Sequence, residues 1–140
     1  MTRYLFPAGR ALFALIFITA APRHFTSEGI RHAAELGLPV AKLLVPLAGV
    51  LALLGGVSVA VGYKARWGAW CLVAFLIPVT LIMHAFWRLQ DANAIHVQQA
   101  MFAKNLSMLG AAILIAEFGA GAFSIDWYIH RDRRSIEPRH

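Results

Sequence analysis

The chain has 140 residues, of which 59% are hydrophobic and 14% charged, and a formal net charge of +6. A soluble domain is about 45–50% apolar and about 25% charged, so these proportions exclude an ordinary water-soluble fold and point to one membrane-embedded domain. The basic residues lie between or beyond apolar runs with no aromatic–basic platform, which argues against a nucleic-acid partner, and the single Cys71 excludes intramolecular disulfide and Cys-x-x-Cys chemistry.

Residues 4–22 form the first apolar run. The run ends in Thr19-Ala20-Ala21 like a signal peptide, but Pro22 disfavours cleavage there, so a retained membrane helix is expected. Arg10 lies inside it, and a charge in a membrane helix needs a partner. From Pro22 to Pro39 the chain is mixed and contains His24 and His32. Ser27 can cap a short helix whose Ile30, Ala33, Ala34 and Gly37 share a face, and Gly37 with Pro39 stops it. This segment is too short to span, so it lies on the membrane surface or folds over the bundle.

The second run covers residues 41–62. Ala48, Ala52, Gly56 and Ala60 recur every four residues, with Gly49 and Gly55 beside them. Such a stripe lets helix backbones approach closely in lipid, within the chain or across a homodimer. The basic turn 63–66 makes the next helix an antiparallel neighbour. That helix spans residues 67–87, roughly 30 Å at 1.5 Å per residue, with Pro78 bending it and freeing a carbonyl one turn earlier. After the polar crossing 88–103, which Asp91 or Asn93 caps, a fourth run covers residues 104–123, with Gly110, Ala112, Ala116 and Ala120 as small packing positions. Trp127 and Tyr128 form an aromatic belt, and a short, poorly ordered basic tail follows.

The expected fold class is therefore an all-α integral-membrane four-helix bundle with a short surface helix between helices one and two. Residues 1–126 form the bundle domain and 127–140 the tail. Four spans put both termini on one side, with Arg3, Arg10, Lys64, Arg66 and the tail residues Arg131, Arg133, Arg134 and Arg139. Arg23, Arg31, Lys42, Arg88 and Lys104 lie on the other. The bias favours cytoplasmic termini and puts both longer crossings outside.

Chemistry-bearing residues gather at that outer boundary. His84, Trp87 and Arg88 share a face of helix three at i, i+3, i+4. Gln98, Phe102, Asn105 and Leu109 share one on helix four. With His24 and Lys104 they can line a pocket with aromatic walls and few polar groups, suited to a quinone or lipid-like head group whose ring stacks on Trp87 or Phe102. The alternative stays open that Trp87 is an interface anchor, Asn105 a helix tie and His84 a structural hydrogen-bonder. His24, His84 and His96 lack metal-ligand spacing, so no metal site is expected. Arg10 and Glu117 lie at comparable depth, which suggests a structural ion pair, with a proton or ion relay as the less favoured alternative.

Several stretches resemble the DoxX family of small bacterial four-helix membrane proteins. These are Arg10 with Ala14-Leu15-Ile16-Phe17, the Gly55-Gly56 pair followed by Gly62 and a basic turn, His84-Ala85-Phe86-Trp87, Phe102-Ala103-Lys104-Asn105-Leu106, Leu109-Gly110, Gly119-Ala120-Gly121 and Ser124-Ile125-Asp126. Two departures stand out, Ala52 where family members often carry a glutamate and Ala20-Ala21-Pro22-Arg23-His24 after the first run. The resemblance implies a four-helix bundle and an accessory role in membrane redox or oxidative-stress complexes, with a quinone as the implied cofactor and no independent activity. It further implies partners among membrane or membrane-associated proteins and location in the bacterial inner membrane. A non-catalytic scaffold and, less favoured, a small transporter are the rival readings.

Overall fold

The computed structural model describes residues 4–136, with side chains up to Arg131. The chain is all-helical, and four helices are long and apolar enough to cross a membrane. Helix α1 (Leu5–Ala20) continues into a 3-10 turn, Ala21–Phe25. Helix α2 (Ser27–Glu35) is the short one. Helix α3 (Ala41–Val61) and α4 (Ala65–Met83) form the central hairpin. A 3-10 turn, Phe86–Arg88, leads to α5 (Ala92–Phe118), and α6 (Ile125–Ile136) follows. Arg3 and Arg139, two of the charges used for orientation, lie outside the described residues.

Small residues decide how the spans pack. A Cβ on Gly55 would sit 2.7 Å from the Gly68 carbonyl oxygen and 2.9 Å from the Leu72 side chain. One on Gly56 would sit 3.2 Å from Phe17 Cβ. Adjacent glycines of α3 therefore admit α4 on one side and α1 on the other, where dispersion between close backbones replaces the hydrophobic drive that lipid removes. The stripe read from the sequence is consumed inside the chain. Gly110 is different, because a Cβ there would meet nothing within 4 Å, so it is not the packing position expected of it.

The core gathers Phe17, Ala52, Leu72, Phe75, Leu76, Ala112 and Ala116. Outside it, Leu12 is 73% exposed and Phe118 77%. Such large apolar residues around the whole perimeter are expected where lipid, not water, surrounds the bundle. Helix α2 folds over the bundle, with Ala33 buried against Ala41 and Val45 of α3 and flanked by Met83 of α4. Its cap is Thr26 rather than Ser27, since the Thr26 hydroxyl accepts from the Gly29 backbone N–H at 3.1 Å.

Two boundaries differ from the sequence expectation. Helix α4 ends at Met83, because His84 leaves the helical region at φ −117°, ψ 35°. His84, Trp87 and Arg88 are thus not one helical face. Helix α5 ends at Phe118 with Gly119 at φ 81°, and Gly121 and Phe123 also have positive φ. Glycine takes such conformations at no steric cost, so the Gly119-Ala120-Gly121 stretch terminates the helix that periodicity carries on to Phe123. Beyond it Ser124 caps α6, accepting from the Trp127 N–H at 3.0 Å. The segment expected as a poorly ordered tail is helical to Ile136, and the 126/127 boundary falls inside α6.

The free carbonyls of that broken stretch answer the Arg10 problem. Arg10 is buried, and its guanidinium donates to the Ala120 carbonyl through Nη1 and to the Phe123 carbonyl through Nη2, the latter at 2.8 Å. Among the described residues Arg10 forms no ion pair with Glu117, which is exposed. The expected pair is replaced because Glu117 lies on the outward face of α5, whereas the carbonyls one turn further on point inward and need donors. Asp126 adds a carboxylate field at Arg10.

Candidate functional site

Helices α1 and α3, α3 and α4, and α4 and α5 pack closely, but α1 and α5 do not. A cavity of about 450 Å³ lies among these helices, beneath α2 and the first 3-10 turn. Its lower wall is apolar, with Phe17, Leu51, Leu76 and Met108. Its upper end carries Arg23, His24, His32, His84, Lys104 and Asn105. Pro78 also lines it, and beside it stands Ala74, whose carbonyl has lost its helical donor to the proline.

Local sequence explains how each polar group arrives there. Gly49 lets the first 3-10 turn rest on α3, since a Cβ would sit 2.6 Å from His24 Cβ and 3.0 Å from the Phe25 ring. His24 is then held by its Nδ1, 3.2 Å from the Ala20 carbonyl, and by an edge-on contact with Phe75 at 5.5 Å. The break at the end of α4 turns His84 toward α5, where its Nδ1 meets Gln98 Oε1 at 2.8 Å. The amide and carbonyl oxygens accept, so both imidazoles donate through Nδ1, and Nε2 is left for another partner.

Asn105 is the telling residue. It is only 4% exposed, it lines the cavity, and its side-chain amide makes no hydrogen bond within the described residues. The amide is not sealed off, since among the described residues the fully buried side-chain polar atom without a partner is Arg10 Nε, so it stays open to whatever occupies the cavity.

Of the six residues expected from sequence, the fold brings His24, His84, Lys104 and Asn105 to one cavity. Trp87 and Phe102 are not in its wall. With Phe86 they form an edge-to-face trio, the ring centroids 5.1, 5.6 and 5.9 Å apart, which fastens the second 3-10 turn to α5. Trp87 stays 54% exposed, but neither ring lines the cavity, so a ligand held there does not stack on Trp87 or Phe102. The cavity adds Arg23 and His32, which the sequence reading left unassigned. His32 is carried over the bundle by α2, whose Ala33 packs on α3, and Arg23 by the 3-10 turn before it. Among the described residues no three His, Cys, Asp or Glu side chains cluster as a metal would need.

An all-helical bundle with four helices long and apolar enough to cross a membrane, and an internal, partly polar cavity, defines an integral membrane protein. The model of the SURF4 family matches residues 1–131, and the chain belongs to that family. Two Escherichia coli K12 proteins are similar to it. The inner membrane protein YphA is 29% identical over 119 residues, 84% of each chain. The inner membrane protein YqjF is 28% identical over 122 residues, 87% of this chain and 89% of its own. No solved structure matches.

The family assignment corrects the DoxX resemblance, and the redox and quinone associations that came with it are withdrawn. The stretches that carried the likeness include Gly55-Gly56, Gly62, Asn105 and Gly119-Ala120-Gly121. The glycines among them are close-approach and helix-ending positions, which any compact four-helix membrane bundle needs, so they mark architecture more than lineage.

Proposed function

We propose that this protein is a membrane accessory protein that binds an amphipathic, lipid-like molecule in the cavity beneath α2. The head group sits among Asn105, His84, His24 and Lys104, and the apolar part lies along Phe17 and Leu51. The observation that carries this reading is the Asn105 amide, which makes no hydrogen bond within the described residues and opens onto the polar end of an otherwise apolar cavity. The loose α1–α5 seam supports it, because a lipid-like molecule can enter sideways there without unfolding the bundle. A scaffold acting through its small-residue stripe is less favoured, since Gly55 and Gly56 already hold α4 and α1.

The names of YphA and YqjF support placement in the bacterial inner membrane. The excess of Lys and Arg on the terminal side supports cytoplasmic termini, which puts the cavity's polar end at the outer face.

The test is native mass spectrometry of protein purified in mild detergent, for the wild type and for Ala48→Trp, which fills the cavity from α3 without touching its polar end. The wild type should retain a stoichiometric amphiphile and the variant should lose it. Equal occupancy in the two, or none in either, would refute the reading.

A further inference from the structure

The polar end of the cavity has one sign of charge. Its wall includes the cations Arg23 and Lys104 together with three histidines, and neither an Asp nor a Glu. Lys104 has no carboxylate within ion-pair distance among the described residues, and its Nζ rests 3.3 Å from Met101 Sδ. Arg23 lies 3.9 Å from Glu28, but both side chains are more than 70% exposed, so that pair is weakly held and easily exchanged. Two cations at the mouth of a low-dielectric cavity focus a positive potential into it. Below them the wall is apolar, so a small soluble anion would leave most of the space unfilled. A volume of about 450 Å³ leaves room for an acyl chain.

Resting on the reading of this cavity as an amphiphile site, we infer that its ligand is an anionic amphiphile, the head held between Lys104 and Arg23 and accepting a hydrogen bond from the Asn105 amide. A carboxylate and a phosphate monoester share this chemistry. Their oxygens only accept, and Asn105 Nδ2, Lys104 Nζ and the Arg23 guanidinium only donate.

The full chain in zwitterionic nanodiscs is titrated with oleate, with oleoyl lysophosphatidate and with oleyl alcohol, three ligands of one chain length. Bound stoichiometry is read by native mass spectrometry. At least one anion should bind about tenfold or more tightly than the alcohol. The tighter of the two identifies the head as carboxylate or phosphate. The double variant Arg23→Gln/Lys104→Gln, at two exposed positions, should bring both anions close to the alcohol. If the alcohol equals both anions in the wild type, or if the double variant keeps the preference, the anionic assignment is overturned while the cavity reading stands. If none of the three binds, the cavity reading itself fails and this inference with it.

Discussion

His84 Nδ1 lies 2.8 Å from Gln98 Oε1, joining the end of α4 to the first turns of α5 across the loop that separates them. The bond has two effects. It turns His84 out of the helical path, and it commits Nδ1–H so that Nε2 is left for the cavity. A double-mutant cycle of His84→Ala and Gln98→Ala, read by thermal unfolding in detergent, should show a coupling of about 0.5–1.5 kcal/mol. Additive losses would mean that the two side chains do not act together.

Arg10 holds the loop after α5, not the α5 side chain at Glu117. Arg10→Met removes two donors from the Ala120 and Phe123 carbonyls, and hydrogen bonds to charged groups are worth about 1.5–3 kcal/mol each. A large drop in unfolding temperature is expected. Glu117→Gln should change stability by no more than about 0.5 kcal/mol, as for any exposed substitution. Comparable losses in the two variants would restore the ion pair.

Asp126 works at the same end. Its two carboxylate oxygens accept from the Lys64 and Ala65 backbone N–H groups at 2.8 and 3.0 Å, capping α4 from a helix 61 and 62 residues away in sequence. Losing a cap costs about 0.5–2 kcal/mol. Asp126→Ala should therefore destabilise by that order and increase hydrogen exchange at Lys64 and Ala65. Unchanged exchange at those two amides would show that the cap is not formed.

Glycine substitutions separate packing from composition. Gly55→Leu drives a side chain into Gly68 and Leu72, and it should prevent α3 and α4 from closing, seen as loss of folded protein on size exclusion. Gly110→Ala meets no neighbour and replaces a poor helix former with the best one, so it should stabilise by roughly 0.5–1 kcal/mol. A destabilising Gly110→Ala would reveal a contact made outside the single chain.

The spans were legible because twenty-residue apolar runs between short polar crossings admit little else in a bilayer. So were Gly62 as a helix end and Asp91 as a cap, its carboxylate 2.7 Å from the Ala94 N–H. What escaped was non-local. Arg10 pairs with carbonyls 110 and 113 residues on, which exist as acceptors only because Gly119 breaks the helix. At the site, Asn105 and His84 could be read from residue type and depth. Trp87 escaped because α4 ends at Met83, and Phe102, on α5 with Asn105, packs against Phe86 and Trp87 instead of the cavity. Arg23 and His32 enter through the fold of α2 over α3, which no periodicity in α2 itself specifies.

Asn105 tests the site from the opposite direction to most mutations. If its amide awaits a ligand, Asn105→Leu removes an unsatisfied polar group at nearly constant volume. The ligand-free protein should then be about as stable as the wild type, while amphiphile binding is lost. Destabilisation together with unchanged binding would make Asn105 a helix tie.

The most direct measurement is photo-crosslinking with an oleate analogue carrying a diazirine next to its head group, the adducts located by peptide mass spectrometry on the full-length protein in nanodiscs. Label concentrated on residues 20–24 and 101–108 is the predicted result, because His24, Lys104 and Asn105 surround the head-group end of the cavity. Label confined to outward positions such as Leu12, Leu54 and Phe118, with none on those two segments, would show that the amphiphile only coats the bundle, and would contradict the account.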